Sequence, residues 1–253
     1  MFNLKNKVCL VTGGASGIGE AISRRFDKAG AKVAIVDLNI DQAESLASEL
    51  KLAKAFSCDV SNHEDVKSTV EKVKHEMGSI DVLINNAGIA HIGNVENTSP
   101  EDLDRIYQVN VKGVYNFINA TIPEMEAKGS GCILNLASVA SIVGISDRFA
   151  YSMSKGAVQT MTLSVSKDYI DKGIRCNCIC PARVHTPFVD GFIQKNYPGQ
   201  EKEMFEKLSA SQPIGRMGQP DEIAALAHYL CSDDAAFVTG ASYEIDGGFC
   251  NLV

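Results

Sequence analysis

The stretch KVCLVTGGASGIG, residues 7–19, decides the fold. An apolar run, KVCLVTG (7–13), passes without a linker through Gly13, Gly17 and Gly19 into a helical pattern at roughly 17–30. A short, near-continuous hydrophobic run is the mark of a parallel strand buried on both faces. Glycines between such a strand and a helix permit a tight turn and let the backbone approach a pyrophosphate at the positive helix end. The next strand-like run, KVAIVDL (32–38), ends in Asp37, eighteen residues after Gly19. An acid at that place accepts hydrogen bonds from an adenosine ribose, so the pattern predicts a dinucleotide site. A carboxylate there repels the additional 2′-phosphate of NADP. Leu38 and Asn39, which follow, supply no arginine to compensate, and NAD is the expected cofactor.

The same alternation continues along the chain. Further strand-like runs are AKAFSCDV (53–60), IDVLINNAG (80–88), GCILNLAS (131–138), IRCNCICP (174–181) and SYEIDGG (242–248). Helical patterns lie at roughly 40–50, 62–77, 101–128, 150–171 and 220–231. Asn62 and Ser99 sit where N-caps belong, and Pro100 follows at the first helical position. Strands and helices in alternation predict an α/β fold: a single doubly wound Rossmann domain over 1–253, a seven-stranded parallel sheet with helices on both faces. The rhythm breaks at about 184–219, which reads as a long loop covering the substrate.

The 253 residues are 45% hydrophobic and 22% charged, as in a soluble protein with a large core. A net charge of −7 argues against nucleic acid as partner. No apolar run approaches the ~20 residues of a membrane span. Eight cysteines without a disulfide framework suggest reduced thiols and a cytoplasmic setting. Cys176, Cys178 and Cys180 alternate along one strand and therefore share a face. Successive same-face positions stand nearly ~7 Å apart, awkward for co-ligands of one zinc ion. They read as small hydrophobes, and no metal site is expected.

TGGASGIG (12–19), NNAG (85–88), Ser138, YSMSK (151–155) and the terminal IDGG (245–248) together resemble the short-chain dehydrogenases/reductases, in motif order and over essentially the whole chain. The chemistry of one pair follows from spacing. Tyr151 and Lys155 stand four apart on one helix face. A free phenol titrates near ~10, too high for a proton acceptor at neutral pH. An ammonium about 4 Å away contributes roughly 4 kcal/mol toward the phenolate at an effective dielectric near 20, against the cost of desolvation. Tyr151 is thereby expected to act as general base for an alcohol and as general acid in reverse.

The resemblance implies further roles. Lys155 grips the nicotinamide ribose, Ser138 hydrogen-bonds the reacting oxygen, and Asn110 holds a proton-relay water. Cofactor contacts are expected from Gly13, Ser16, Gly17, Ile18, Gly19, Asp37 and Leu38. Others are Asp59, Val60, Asn86, Ala87, Gly88, Tyr151, Lys155, Pro181, Val184 and Thr186. Ala182 stands where the family has glycine after this proline, which leaves the turn there in question. Arg148 and Arg183 border the expected substrate pocket and suit a carboxylate, with His91 and His185 as further candidates beside Ser138 and Tyr151.

The branch most resembled contains NAD-dependent 3-hydroxybutyrate, L-fucose and 2-keto-3-deoxy-L-fuconate dehydrogenases. This implies a hydroxy acid, sugar or sugar acid as substrate, in carbohydrate metabolism, and a homotetramer built through the helices at 101–128 and 150–171. Two other readings share these motifs. A 3-oxoacyl-carrier-protein reductase would favour NADPH and need a basic docking surface. A catalytically silent relative would bind cofactor as a sensor or scaffold.

Overall fold

The computed structural model describes residues 2–252 except the Asn196 side chain, so Met1 and Val253 of the expected 1–253 domain lie outside the described residues. Its strands are β1 (Val8–Thr12), β2 (Lys32–Asp37), β3 (Ala53–Ser57), β4 (Ile80–Asn85), β5 (Gly131–Leu136), β6 (Ile174–Pro181) and β7 (Ser242–Ile245). They form one parallel sheet in the order β3-β2-β1-β4-β5-β6-β7. The helices are α1 (Gly17–Lys28), α2 (Ile40–Glu49), α3 (His63–Met77), α4 (Pro100–Ile106), α5 (Gly113–Lys128), α6 (Phe149–Tyr169), α7 (Pro187–Asn196), α8 (Glu201–Ala210) and α9 (Pro220–Cys231).

β1 shows why the sheet is covered on both sides. Its five residues are all buried, and successive side chains go to opposite faces. Cys9 and Val11 join Ile22 and Phe26 of α1, Leu46 of α2 and Leu230 of α9. Val8 and Leu10 join Val73 of α3, Phe117 and Met125 of α5 and Val158 of α6. Fully burying one such large side chain stabilises by about 1.5–3 kcal/mol. A register slip of one residue would exchange the two cores, so the register is firmly held. Cys176, Cys178 and Cys180 lie in the second of these clusters, as packing residues.

From β1 the chain proceeds outward to β2 and β3, then returns to β4 and continues the other way. The crevice beyond the carboxyl ends of β1 and β4 is the topological switch point where such sheets bind ligands. The expected N-caps are in place: Asn62 accepts from the N–H groups of Glu64 and Asp65, and Ser99 from that of Asp102.

Two elements depart from expectation. The helix at 101–128 is interrupted by a π-helical turn, Tyr107–Lys112, between α4 and α5. The segment 184–219 is a helical pair, α7 and α8, rather than a loop. Among the described residues no helix is long and apolar enough to cross a membrane.

Candidate active site

A cleft of about 1030 Å³ opens at the switch point. Its floor is the glycine turn after β1. Gly13 and Gly17 have φ of +59° and +54°, a region costly for residues with a Cβ. A Cβ on Gly13 would lie 2.9 Å from Ala87 Cα, and one on Gly19 would lie 2.0 Å from the Gly13 carbonyl oxygen. The turn is clamped to β4 by two residues. Thr12 Oγ1 accepts from the N–H groups of Asn86 and Ala87 at 3.0 and 3.1 Å. Asn86 Nδ2 donates to the carbonyls of Thr12 and Gly13, both at 3.0 Å.

These features fit a dinucleotide. Ser16 precedes α1 but offers its first turn no side-chain cap, so the orphan N–H groups of that turn are available to an anion. Ser16, Gly17 and Ile18 line the cleft, while Gly19 packs behind them. Asp37 also lines it, held by N–H donors from Ala15 at 3.1 Å and Asn39 at 3.0 Å. Leu38, Asp59, Val60, Asn86, Ala87 and Gly88 complete this end of the cleft. Thr186 lies over the turn, its Cγ2 3.4 Å from where a Gly17 Cβ would stand.

At the other end lie Ser138, Tyr151 and Lys155, from the end of β5 and from α6. Lys155 is buried, and its Nζ donates to the Leu136 carbonyl at 2.7 Å. Burial pulls its pKa down to about 8. The ammonium stands 5.8 Å from the Tyr151 ring centroid. Burial raises the Tyr151 pKa, opposed by a hydrogen bond from Ser138 and by the charge of Arg148. One of the three N–H donors of the Lys155 ammonium is taken by a backbone carbonyl, and burial is the largest influence on the phenol.

Asn110 lies in the π-helical turn, fully buried behind the cleft wall. Its Oδ1 accepts from Ile89 N–H at 2.8 Å, and its Nδ2 donates to the Ile89 carbonyl at 2.9 Å and to Ser154 Oγ at 3.0 Å. A Cβ on Gly88 would lie 3.3 Å from Asn110 Oδ1 and 3.5 Å from Lys155 Nζ, so the two side chains converge there.

Arg148 is aimed by its neighbour. Asp147 takes φ +57°, a conformation aspartate tolerates better than most residues, and its carbonyl accepts from Gly93 N–H at 3.1 Å. Arg148 and Arg183 both line the cleft, as does His91. His91 Nδ1 stands 3.7 Å from Asp102 Oδ1, and its buried Nε2 has no hydrogen-bond partner among the described residues. His185 is a correction. It does not line the cleft; its Nε2 faces Asp190 Oδ1 at 2.9 Å and its ring meets Phe205 edge-on. Pro181 and Val184 line the cleft as expected, and Ala182 makes its turn without positive φ. Sequence reasoning missed Lys195 and Phe249, which carry no motif and reach the cleft only through the fold, and it gave no role to Thr12, the first residue of TGGASGIG, whose hydroxyl clamps the turn to β4.

Residues 13–250 match the family model described as enoyl-(acyl carrier protein) reductase. Dehydrogenase/reductase SDR family member 6 of Aquarana catesbeiana is 42% identical over 250 residues, covering 98% of this chain and 99% of that protein. The chain belongs to the short-chain dehydrogenase/reductase family. Another relative in this family, 2-(S)-hydroxypropyl-CoM dehydrogenase 3 of Xanthobacter autotrophicus, is 38% identical and covered to 97%, as is this chain. The crystal structure of levodione reductase superposes with a TM-score of 0.92 at 31% identity, covering 97% of this chain and 98% of that one. As a short-chain dehydrogenase/reductase the protein is an oxidoreductase whose fold binds a nicotinamide dinucleotide.

Proposed function

We propose that this family member is an NAD-dependent dehydrogenase interconverting a polar secondary alcohol and its ketone, the substrate being a hydroxy acid or a (deoxy)sugar acid. One observation carries the reading: Ser138, Tyr151 and Lys155 line the same cleft as the dinucleotide-type glycine turn, with the buried Lys155 ammonium 5.8 Å from the Tyr151 ring centroid. The nicotinamide, when bound, supplies hydride chemistry. The chain's own residues hold and move the proton. Tyr151 takes the alcohol proton or returns it to the ketone oxygen, Ser138 hydrogen-bonds that oxygen, and Lys155 holds the ribose. Asn110 acts from behind, fixing the Gly88–Ile89 backbone against α6.

Asp37 supports NAD over NADP, because a fixed carboxylate followed by exposed Leu38 offers a 2′-phosphate only repulsion. Arg148 and Arg183 support an acidic substrate, neither having a carboxylate partner among the described residues. A carrier-protein reductase finds less support, since it would favour NADPH, which the fixed Asp37 carboxylate disfavours, and would need a basic docking surface, whereas the net charge is −7. Eight cysteines, all free, support a reducing, cytoplasmic setting.

Assembly as a homotetramer is supported by exposed Tyr115 on α5 and Leu163 on α6, beside a groove that Ile118 and Met161 also line. Light scattering on the purified protein tests it.

A screen with NAD and NADP across hydroxy acids, sugars and sugar acids tests the function. Tyr151→Phe is expected to lose about 10²–10⁴-fold in kcat with cofactor affinity retained. A loss below tenfold on a verified substrate removes Tyr151 as the proton carrier.

A further inference from the structure

The ionisable side chains that line the cleft are divided by sign along its length. Its two carboxylates, Asp37 and Asp59, lie at the carboxyl ends of β2 and β3. Beyond the carboxyl ends of β5 and β6, on the other side of the switch point, the charged groups are all cationic. Arg148 precedes α6, Arg183 follows β6, and Lys195 projects from α7, a residue no sequence motif marks. None of the three has an ion pair with a carboxylate among the described residues. Arg148 donates only to the Asp147 carbonyl, and Arg183 Nε donates to Ser211 Oγ at 3.0 Å. Arg183 is held in this unneutralised state despite burial and the nearby charge of Arg148, both of which disfavour its cationic form. Uncompensated cations lining one cleft, two of them close enough to disfavour each other's charge, create a field that an anion lowers.

The rest of that end is apolar. Ile145, Phe188, Phe192, Leu208, Met217 and Phe249 form the wall, contributed by the loop before α6, by α7 and α8, by the loop between α8 and α9, and by the turn after β7. The polar side chains available there are few, and His91 turns its Nδ1 toward Asp102 and its buried Nε2 toward Gly93. Ser138 and Tyr151 belong to the reacting oxygen. Gln212 is occupied, its Oε1 taking the Arg183 N–H and its Nε2 donating to Ser211 Oγ. A chain of ring or sugar hydroxyls would leave its donors and acceptors unpaired against this wall, whereas a methylene chain would gain by burial.

We propose that this end of the cleft selects a substrate with a carboxylate head on an apolar body, and that Lys195 closes on that head as a third cationic contact beside Arg148 and Arg183. The proposal rests on the dehydrogenase reading above and narrows it, setting hydroxy acids with an aliphatic or aromatic body over polyhydroxylated sugar acids. It makes Lys195 a specificity-determining residue, delivered by the helix pair that covers the site.

Non-reacting probes test this without turnover. Butanoate, hexanoate, hexanamide and gluconate are titrated into the full-length enzyme–NADH complex, with binding read by calorimetry and by NADH fluorescence. Hexanoate is expected to bind several-fold tighter than butanoate, and about tenfold or more tighter than hexanamide or gluconate. Lys195→Met is expected to weaken hexanoate about fivefold or more while leaving hexanamide and NADH affinities unchanged. Gluconate binding as tightly as hexanoate overturns the apolar body. Hexanamide binding as tightly as hexanoate overturns the anionic head, and with it the role given to the arginines. Hexanoate affinity unchanged in Lys195→Met but lost in Arg148→Met overturns Lys195 alone. Hexanoate without measurable binding at millimolar concentration overturns the proposal, while the dehydrogenase reading is judged separately by the substrate screen.

Discussion

At Tyr151 the balance of forces differs from the one spacing suggests. The i,i+4 relation to Lys155 is legible in YSMSK, but the Leu136 carbonyl that takes a proton of the ammonium at 2.7 Å comes from β5, nineteen residues earlier, and only the fold brings it there. What remains to lower the phenol is Ser138 and Arg148, against burial. On the proposed reading Arg148 acts at two places, on the substrate's charge and on the Tyr151 phenol. Its cation favours the phenolate, so removing it raises the Tyr151 pKa. Arg148→Gln is expected to move the rising limb of the pH profile for alcohol oxidation to higher pH, with ketone reduction at neutral pH less affected. A profile of kcat against pH checks this, and a limb that stays in place removes Arg148 from the phenol's surroundings. At the cofactor end, Asp37→Ser is expected to relax the preference for NAD by about tenfold or more, read as the ratio of Kd values for NADH and NADPH. The direction follows from taking one fixed negative charge away from the position of a 2′-phosphate.

Among the elements, those with dense apolar patterning were legible and those without it were not. The strands β1, β2, β4, β5 and β6 and the helices against them announce themselves because both faces of the sheet are buried there, while the edge strands β3 and β7, half-exposed, carry weaker apolar runs. The pair α7 and α8 reads as loop because it buries so little: Ile193 is the buried hydrophobic side chain of α7 among the described residues, and α8 has none. The π-helical turn is invisible for a different reason. Its residues suit an ordinary helix, and the extra residue is accommodated by tertiary hydrogen bonds from Asn110 to Ile89 and Ser154. That places the stability of the turn in one side chain. Asn110→Leu would leave the Ile89 N–H and carbonyl without this partner in a closed environment, at a cost of about 1–3 kcal/mol for each group left unsatisfied. Urea unfolding is expected to show a lower midpoint with little change in slope, and activity is expected to fall together with the ordering of the Gly88–Ile89 backbone. Unfolding that matches the parent protein would mean the turn is held by helix packing alone.

Across the whole molecule, the doubly wound topology brings segments far apart in sequence to one crevice, and the same topology joins the start of the chain to its last helix. His228 on α9 is the joint. Its Nε2 donates to the Phe2 carbonyl at 2.5 Å, its Nδ1 accepts from Arg25 Nε on α1 at 3.3 Å, and the Phe2 ring stands edge-on to Tyr229. Both ring nitrogens are used in the neutral form, and a second proton would cost the Arg25 contact and set two cations side by side. Burial, with Arg25 beside it, lowers the His228 pKa, although the Phe2 carbonyl opposes the shift. Because the folded value lies below the unfolded one of about 6.5, the unfolded chain binds the proton first. The stabilisation is therefore whole above that pH and is lost as pH falls through it toward the lower folded value. Most carboxylates titrate below this window, so a fall in stability between about pH 7.5 and 5.5 isolates the histidines. Replacing His228 with glutamine keeps a donor for Phe2 and removes the titration. His228→Gln is expected to be less stable than the parent at the upper pH and to lose part of the decline toward the lower one. Unfolding midpoints at both pH values measure the difference, and a variant that declines as steeply as the parent would show that the coupling of α1, α9 and the chain's start does not run through this imidazole.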